Sequence, residues 1–171
     1  MPASKKDLYT NFAFGSVTAS AANVLTFAQI ISGVSIHEKV AWIIHRVEYY
    51  FSALTIADMD NTADLLQVAL TGSDSLASLE VDEARIYDKL DYLTRHDGTA
   101  ASAQYIEQPF IHDYSQMPGG GLLIPPHPLF CAIVSTGFTI AVVAVARIYF
   151  TYKSLTSEEF WELVQTRQVV Q

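Results

Sequence analysis

An uncharged run constrains this chain more than any other feature of its sequence. From Tyr114 to Ala146 there is no Asp, Glu, Lys or Arg, and the second half, Leu129–Ala146, reads LFCAIVSTGFTIAVVAVA. Roughly 20 apolar residues are enough for a helix to cross a bilayer, so one interpretation is a membrane span. The other is a pair of strands on either side of Ser135–Gly137, forming the core hairpin of a β-protein.

Three observations favour the hairpin. Ser135–Gly137 and Thr139 place turn-forming and polar groups in the middle of the run. Three prolines precede the run, and only Arg147 and Lys153 follow it closely, which is not the usual flanking pattern of a span. The segment Arg147–Lys153 (RIYFTYK) then alternates with the period of two that is typical of strands. We therefore predict a β-hairpin. The alternative is a membrane-spanning helix near Leu129–Tyr149, which would make the chain a membrane-embedded accessory subunit of a larger complex.

The composition indicates a chain with more apolar surface than a monomer can bury. Half of the 171 residues are hydrophobic, and only 16% are charged, against roughly 25% in typical soluble domains. This predicts that the surface is buried either against other copies or in a membrane. The net charge is -8, and Lys5-Lys6 is the only basic pair. We therefore expect no direct nucleic-acid binding, because phosphate contacts need clustered cations.

Hydrophobic alternation predicts a series of strands followed by one helix. In Lys39–Ser52 it places Ile43, His45, Val47, Tyr49 and Phe51 on one face and Trp42, Ile44, Arg46, Glu48 and Tyr50 on the other. Further strands are predicted over Tyr9–Thr18, Val24–Ile31, Leu65–Thr71 and Gln104–Tyr114. Residues 79–95 fit a short helix and an irregular strand equally well. Thr156 and Glu159 form a capping box, which predicts a helix over Ser157–Gln168.

This spacing predicts an all-β fold, a jelly-roll sandwich or barrel of about eight strands with a short C-terminal α-helix. The predicted organisation is a flexible tail over residues 1–8, a β-sandwich domain over 9–155, and a helix with its tail over 156–171. Met1–Thr10 is polar and resembles no signal peptide, so we expect synthesis in the cytoplasm.

No motif in the sequence predicts chemistry. Gly119–Gly121 lacks the Lys and Ser/Thr of a phosphate-binding loop, and none of the five His pairs with another at a metal-binding spacing. The single Cys131 excludes an internal disulfide and a Cys-based zinc site. The carboxylates over Glu80–Asp91 are expected to form either a solvated acidic face or a subunit contact with a basic partner. We predict no catalytic residue, cofactor, metal or small-molecule substrate, and hence no enzyme.

Aromatic residues are the best candidates for contacts between subunits. Phe160 and Trp161 are adjacent on the predicted helix and cannot share a face, so we expect one to pack on its own domain and the other on a neighbour. The candidate interface residues are Trp42, Tyr49, Tyr50, Phe160 and Trp161. A carbohydrate-binding module that stacks sugars on such aromatics is a further alternative.

The layout of the chain resembles the small single-jelly-roll capsid proteins of tailless icosahedral viruses. The resemblance lies in the polar N-terminal tail, the strand VAWIIHRVEYY (Val40–Tyr50), the apolar pair within Leu129–Tyr152 and the helix SEEFWELVQ (Ser157–Gln165). It implies a coat protein that self-assembles into an icosahedral shell and is located in the virion. Copies of itself and other capsid or membrane-associated virion proteins are the implied partners. Many such proteins that touch the genome carry a basic arm, which is missing here.

Overall fold

The computed structural model describes residues 10–21, 23–31, 39–52, 63–80, 85–95, 109–125, 127–138 and 140–168. The predicted tail over residues 1–8 lies outside them. The elements in chain order are β1 (Asn11–Thr18), β2 (Thr26–Ile31), β3 (Val40–Phe51), β4 (Ala63–Thr71), β5 (Ile86–Arg95), β6 (Phe110–Asp113), β7 (Leu122–Ile124), β8 (Leu129–Thr136), β9 (Val143–Ser154) and α1 (Ser157–Gln168).

The strands form two antiparallel sheets. Sheet A has the order β1-β9-β3-β6, with β7 beside β6 on the same edge of β3, and sheet B has the order β2-β8-β4-β5. If β6 and β7 are counted as one interrupted strand, eight strands form two sheets of four. Apart from β4 and β5, which are neighbours in sheet B, consecutive strands of these eight lie in opposite sheets, in the manner of a jelly roll. The predicted fold class, with its short C-terminal helix, is confirmed.

The uncharged run forms two strands, as predicted, but they are not a hairpin. β8 lies in sheet B between β2 and β4, whereas β9 lies in sheet A between β1 and β3. Each is an interior strand with neighbours on both edges, which is why both are so apolar. The segment between them crosses the sandwich and buries Phe138 and Val142. The alternative of a helix over Leu129–Tyr149 is also wrong, and no helix of the described residues is long and apolar enough to cross a membrane.

A β-bulge at His45 changes which face of β3 is buried. Ile44 is opposite Phe150 and Arg46 is opposite Tyr149, so His45 has no partner of its own in β9. Such an extra residue shifts the alternation by one. The predicted faces are therefore wrong before the bulge and right after it. The inward side chains are Trp42, Ile44, Val47, Tyr49 and Phe51.

The outer faces of the two sheets are covered in different ways. Leu76 and Leu79, in the connection after β4, pack on Ala69 and Ala132 of sheet B. On sheet A, Phe160 and Val164 of α1 pack with Leu155 against Ala41, and this covers the end of the sheet where β3 begins. Residues 79–95, which were ambiguous in sequence, contain the strand β5, paired with β4 along its length.

Candidate assembly surface

The outer face of sheet A carries an aromatic surface at the end where β3 finishes. Phe12 and Phe14 of β1 point outward and are 65% and 64% exposed. In the register of the sheet, Phe12 is opposite Tyr149 and Phe14 is opposite Arg147. Arg147 is in turn opposite Glu48 of β3. We define the open patch as Phe12, Phe14, Arg46, Glu48, Tyr50, Arg147 and Tyr149.

Glu48 is the centre of the open patch. Its side chain is only 5% exposed, and one carboxylate oxygen pairs with Arg46 at 2.5 Å. The other oxygen accepts hydrogen bonds from the hydroxyls of Tyr50 at 2.9 Å and Tyr149 at 3.3 Å, and Arg147 lies 3.9 Å from it. The hydrogen bond to Glu48 raises the pKa of Tyr50 above its usual value. Tyr50 therefore remains a protonated donor at neutral pH.

The arginines of the open patch are held over its tyrosines. The guanidinium carbon of Arg46 lies 5.7 Å from the ring centre of Tyr149, and that of Arg147 lies 5.6 Å from the ring centre of Tyr50. Both arginines remain partly exposed, at 41% and 44% of their side chains. Aromatic residues and Arg are the types enriched in protein interfaces. The patch therefore has the composition of a protein-binding surface, with a fixed arrangement of its polar groups.

Helix α1 presents a second exposed aromatic side chain. The Thr156 backbone NH donates to Glu159, and the Glu159 NH donates to the Thr156 hydroxyl, which completes the predicted capping box. Phe160 is buried against the chain's own sheet A, whereas Trp161 is 57% exposed. Phe160 is thus the one of the two that packs on its own domain, and the contact of Trp161 with a neighbour stays a prediction.

The five predicted interface residues divide into two groups. Trp42 and Tyr49 are buried between the sheets, and Phe160 is buried under α1. Tyr50, half-buried, belongs to the open patch, and Trp161 lies on the surface of α1. Contact with a second subunit stays a prediction. Of the five residues, Tyr50 and Trp161 have side chains that are at least partly exposed and could make it.

The two phenylalanines of β1 were not among the predicted interface residues. In Asn11–Thr18 (NFAFGSVT), small residues alternate with Phe, and the small ones face inward. A Cβ on Gly15 would lie 2.6 Å from Cγ1 of Ile30, so β2 approaches too closely for larger side chains on that face. The alternation of Phe with Ala and Gly was the local pattern that could have indicated outward-facing Phe side chains. The usual rule that Phe faces the core predicts inward-facing ones instead.

A second polar cluster joins the two sheets at the edge of the sandwich formed by β5 and β6. Asp88 of β5 accepts hydrogen bonds from Tyr49 at 3.0 Å, Tyr114 at 2.6 Å and the Nδ1 of His112 at 2.7 Å. The Lys89 backbone NH also donates to it. Asp88 is buried, so the expectation of a solvated acidic face is wrong at this residue. The carboxylate is occupied by donors from both sheets, which indicates a structural role.

The pKa values in this cluster follow from the same contacts. Burial, with the nearby Asp88, raises the pKa of Tyr49 and of Tyr114 well above the usual value. The hydrogen bond to Asp88 raises the pKa of His112 despite the opposing effect of burial. Within the described part of the chain, no group of three or more His, Cys, Asp or Glu side chains is arranged to hold a metal ion.

The strand order and this surface together define a jelly-roll protein with an exposed aromatic and arginine-rich face. No family model matches the sequence, and no curated protein matches it.

Several solved structures resemble the fold at low identity. VP1 of human polyomavirus 6, solved as a pentamer, is 9% identical, with a TM-score of 0.41 over 91% of this chain and 98% of that one. VP1 of Merkel cell polyomavirus, in complex with GD1a oligosaccharide, is 8% identical, with a TM-score of 0.40 over 85% and 78%. VP1 of chimpanzee polyomavirus is 7% identical, with a TM-score of 0.37 over 86% and 79%. The assignment of the fold rests on the strand order of this chain itself.

Proposed function

We propose that this chain is a structural viral coat protein that self-assembles through broad subunit contacts into an icosahedral shell. The open patch is the observation that carries the proposal. Jelly rolls occur in capsid proteins, lectins and cupins, and this surface supports the first of these uses. In the virion, its partners would be copies of itself and other capsid or membrane-associated proteins.

The case for assembly is that part of sheet A has no cover among the residues that the structure describes. The chain's own residues pack on the outer face of sheet B and on one end of sheet A. At the other end, the structure describes no residues lying over Phe12 and Phe14. Exposed apolar clusters rimmed by polar groups mark protein interaction sites. With only 16% charged residues, the chain also has few groups to keep such a surface solvated.

The electrostatics of the patch support a protein partner over nucleic acid. Arg46 and Arg147 share the buried carboxylate of Glu48, and Asp113 lies opposite Arg46 in the sheet. Two arginines that share one buried carboxylate are not the clustered cations that phosphate contacts need, and the whole chain carries a net charge of -8. A coat of this kind would leave the genome to an internal membrane or to another protein.

The carbohydrate-binding alternative has less support in this geometry. Sugars stack on open aromatic faces, but the rings of Tyr50 and Tyr149 lie under Arg147 and Arg46. The exposed rings of Phe12 and Phe14 carry no hydrogen-bonding group that would orient a sugar.

Particle formation by the isolated chain tests the proposal. We expect the purified, nuclease-treated protein to form closed particles of uniform size in negative-stain microscopy and in light scattering after size exclusion. A protein that stays a sharp monomer at high concentration and melts cooperatively would contradict self-assembly. Binding to a glycan array by such a monomer would favour the carbohydrate-binding function instead.

A further inference from the structure

The outward face of α1 has a chemistry that complements the open patch. Glu158, Trp161, Glu162 and Gln165 follow the spacing i, i+3, i+4 and i+7, which places them on one side of a helix. Phe160 and Val164, on another side, are buried against the chain's own sheet A. The outward face therefore presents one exposed indole flanked by carboxylates.

We infer that α1 of one copy docks on the open patch of a neighbouring copy, with Trp161 as its central contact. The inference rests on the proposed self-assembly and names the surfaces that carry it. Trp161 would pack beside the exposed Phe12 and Phe14 of the neighbour. Trp, Tyr and Arg are the residue types that carry most binding energy in protein interfaces, and all three meet in this contact.

Charge selects the helix as the occupant of the patch. Within the patch the exposed charged groups are the guanidiniums of Arg46 and Arg147, because Glu48 is buried beneath them; Asp113, beside Arg46 at the β6 edge, is the one exposed carboxylate next to them, so Arg147 is the guanidinium with no exposed carboxylate opposite it in the sheet. Two patches facing each other would bring arginines against arginines, and two helices would bring glutamates against glutamates. A helix on a patch brings Glu158 towards guanidinium groups, so this pairing is electrostatically favourable.

The positions of the two surfaces allow every copy to use both at once. α1 covers sheet A where β3 begins, at Ala41, and the open patch lies where β3 ends, around Glu48 and Tyr50. A contact between different surfaces of identical chains is heterologous, and such contacts propagate from copy to copy into rings or larger assemblies. In the assembly, α1 would lie between its own sheet A and that of its neighbour.

Two complementary variants test this docking. Trp161→Ala removes the helix contact and leaves the patch intact, whereas the double variant Phe12→Ser/Phe14→Ser removes the patch contact and leaves the helix intact. We expect each variant alone to require a concentration roughly 30-fold higher to assemble, as expected for a central interface residue. Mixed together, they should form a heterodimer of one copy each, because one intact helix still meets one intact patch. Analytical ultracentrifugation and native mass spectrometry measure both results.

Leu93→Ser is the matched control, since Leu93 is an exposed apolar residue on β5 in sheet B, outside both surfaces. It should assemble like the unaltered chain, and all variants should keep the circular dichroism melt of the unaltered subunit. If the unaltered chain assembles and Trp161→Ala assembles equally well, the docking is wrong while the proposed coat function stands. The docking is also wrong if the mixture yields no heterodimer. An unaltered chain that stays monomeric overturns the proposed function itself.

Discussion

Glu48 shows how a single buried carboxylate organises a protein surface. One of its oxygens pairs with Arg46, and the other accepts hydrogen bonds from Tyr50 and Tyr149. Arg147 lies near the second oxygen. Buried charged groups are stable in proteins when they are paired and hydrogen-bonded. Here the pairing also fixes the rotamers of four long side chains, so the open patch would not have to be ordered on binding.

We predict that Glu48→Gln destabilises the subunit by about 1–3 kcal/mol, because buried donors lose a charged acceptor. The free energy of unfolding in urea measures the effect. Glu80→Gln, at an exposed carboxylate, is the matched control and should change the unfolding free energy by less than about 0.5 kcal/mol. Equal values for the two variants would show that the Glu48 contacts contribute no stability.

His112 gives the fold a pH dependence with a definite sign. The hydrogen bond to Asp88 raises its pKa above the usual 6.5. A raised folded pKa means that the protonated form stabilises the fold. This contribution is complete below the unfolded pKa and is lost as the pH rises through the folded pKa. Tyr49 and Tyr114, which donate to the same carboxylate, have raised pKa values and stay protonated throughout.

In the unaltered chain, this stabilisation should decrease as the pH rises above 6.5, the usual His pKa, and through the raised pKa of His112. We predict that His112→Gln abolishes that decrease. The measurement is the difference in unfolding free energy between variant and unaltered chain at each pH. His127→Gln is the control of opposite sign, because burial lowers the pKa of His127 and its neutral form favours the fold. If His112→Gln retains the full pH dependence of the unaltered chain, His112 is not its source.

At the scale of elements, the start of α1 has a local cause in the sequence, whereas the bulge of β3 does not. The capping box at Thr156 and Glu159 was identified from four residues of sequence, and both of its hydrogen bonds are present. The bulge at His45 has no comparable signature. Its ring nitrogens lie 2.7 Å from the Gly120 carbonyl and 2.9 Å from the Thr151 hydroxyl, partners that are 75 and 106 residues away along the chain. Contacts so distant leave no local pattern.

We predict that Thr156→Ala weakens α1 by about 1 kcal/mol, the usual effect of losing an N-cap. Hydrogen exchange of the α1 amides should show the loss first, since this helix is attached to sheet A through few side chains. Thr156→Ser, which keeps the hydroxyl, should restore the protection. Equal protection in all three chains would mean that the cap does not limit opening of the helix.

At the scale of the whole molecule, the uncharged run holds the sandwich together because it supplies an interior strand to each sheet. Cys131 lies in the middle of β8 and is fully buried, and burial raises the pKa of its thiol to about 12. A thiol without thiolate character and without access to solvent is unreactive. Chemical modification of the Cys131 thiol therefore reports global unfolding of the protein.

We predict that a thiol reagent labels Cys131 only through global unfolding, so that the labelling free energy equals the unfolding free energy at every urea concentration. The variant Cys131→Ala/Ser115→Cys, which moves the only thiol to an exposed loop, should be labelled at once. Labelling of Cys131 with little dependence on urea would instead show a local opening of sheet B.

Local physical chemistry determined the strands, the C-terminal helix and the all-β class of this protein. These features follow from alternation, β-branched content and capping groups within a few residues of one another. Tertiary structure alone decided three others: that β8 and β9 lie in opposite sheets, that Asp88 is buried, and that Phe12 and Phe14 face outward. Each depends on what packs against a segment from elsewhere in the chain, as when Ile30 restricts the inner face of β1 at Gly15. The sequence indicated an excess of apolar surface, and the structure places its two most exposed large side chains, Phe12 and Phe14, at one end of sheet A.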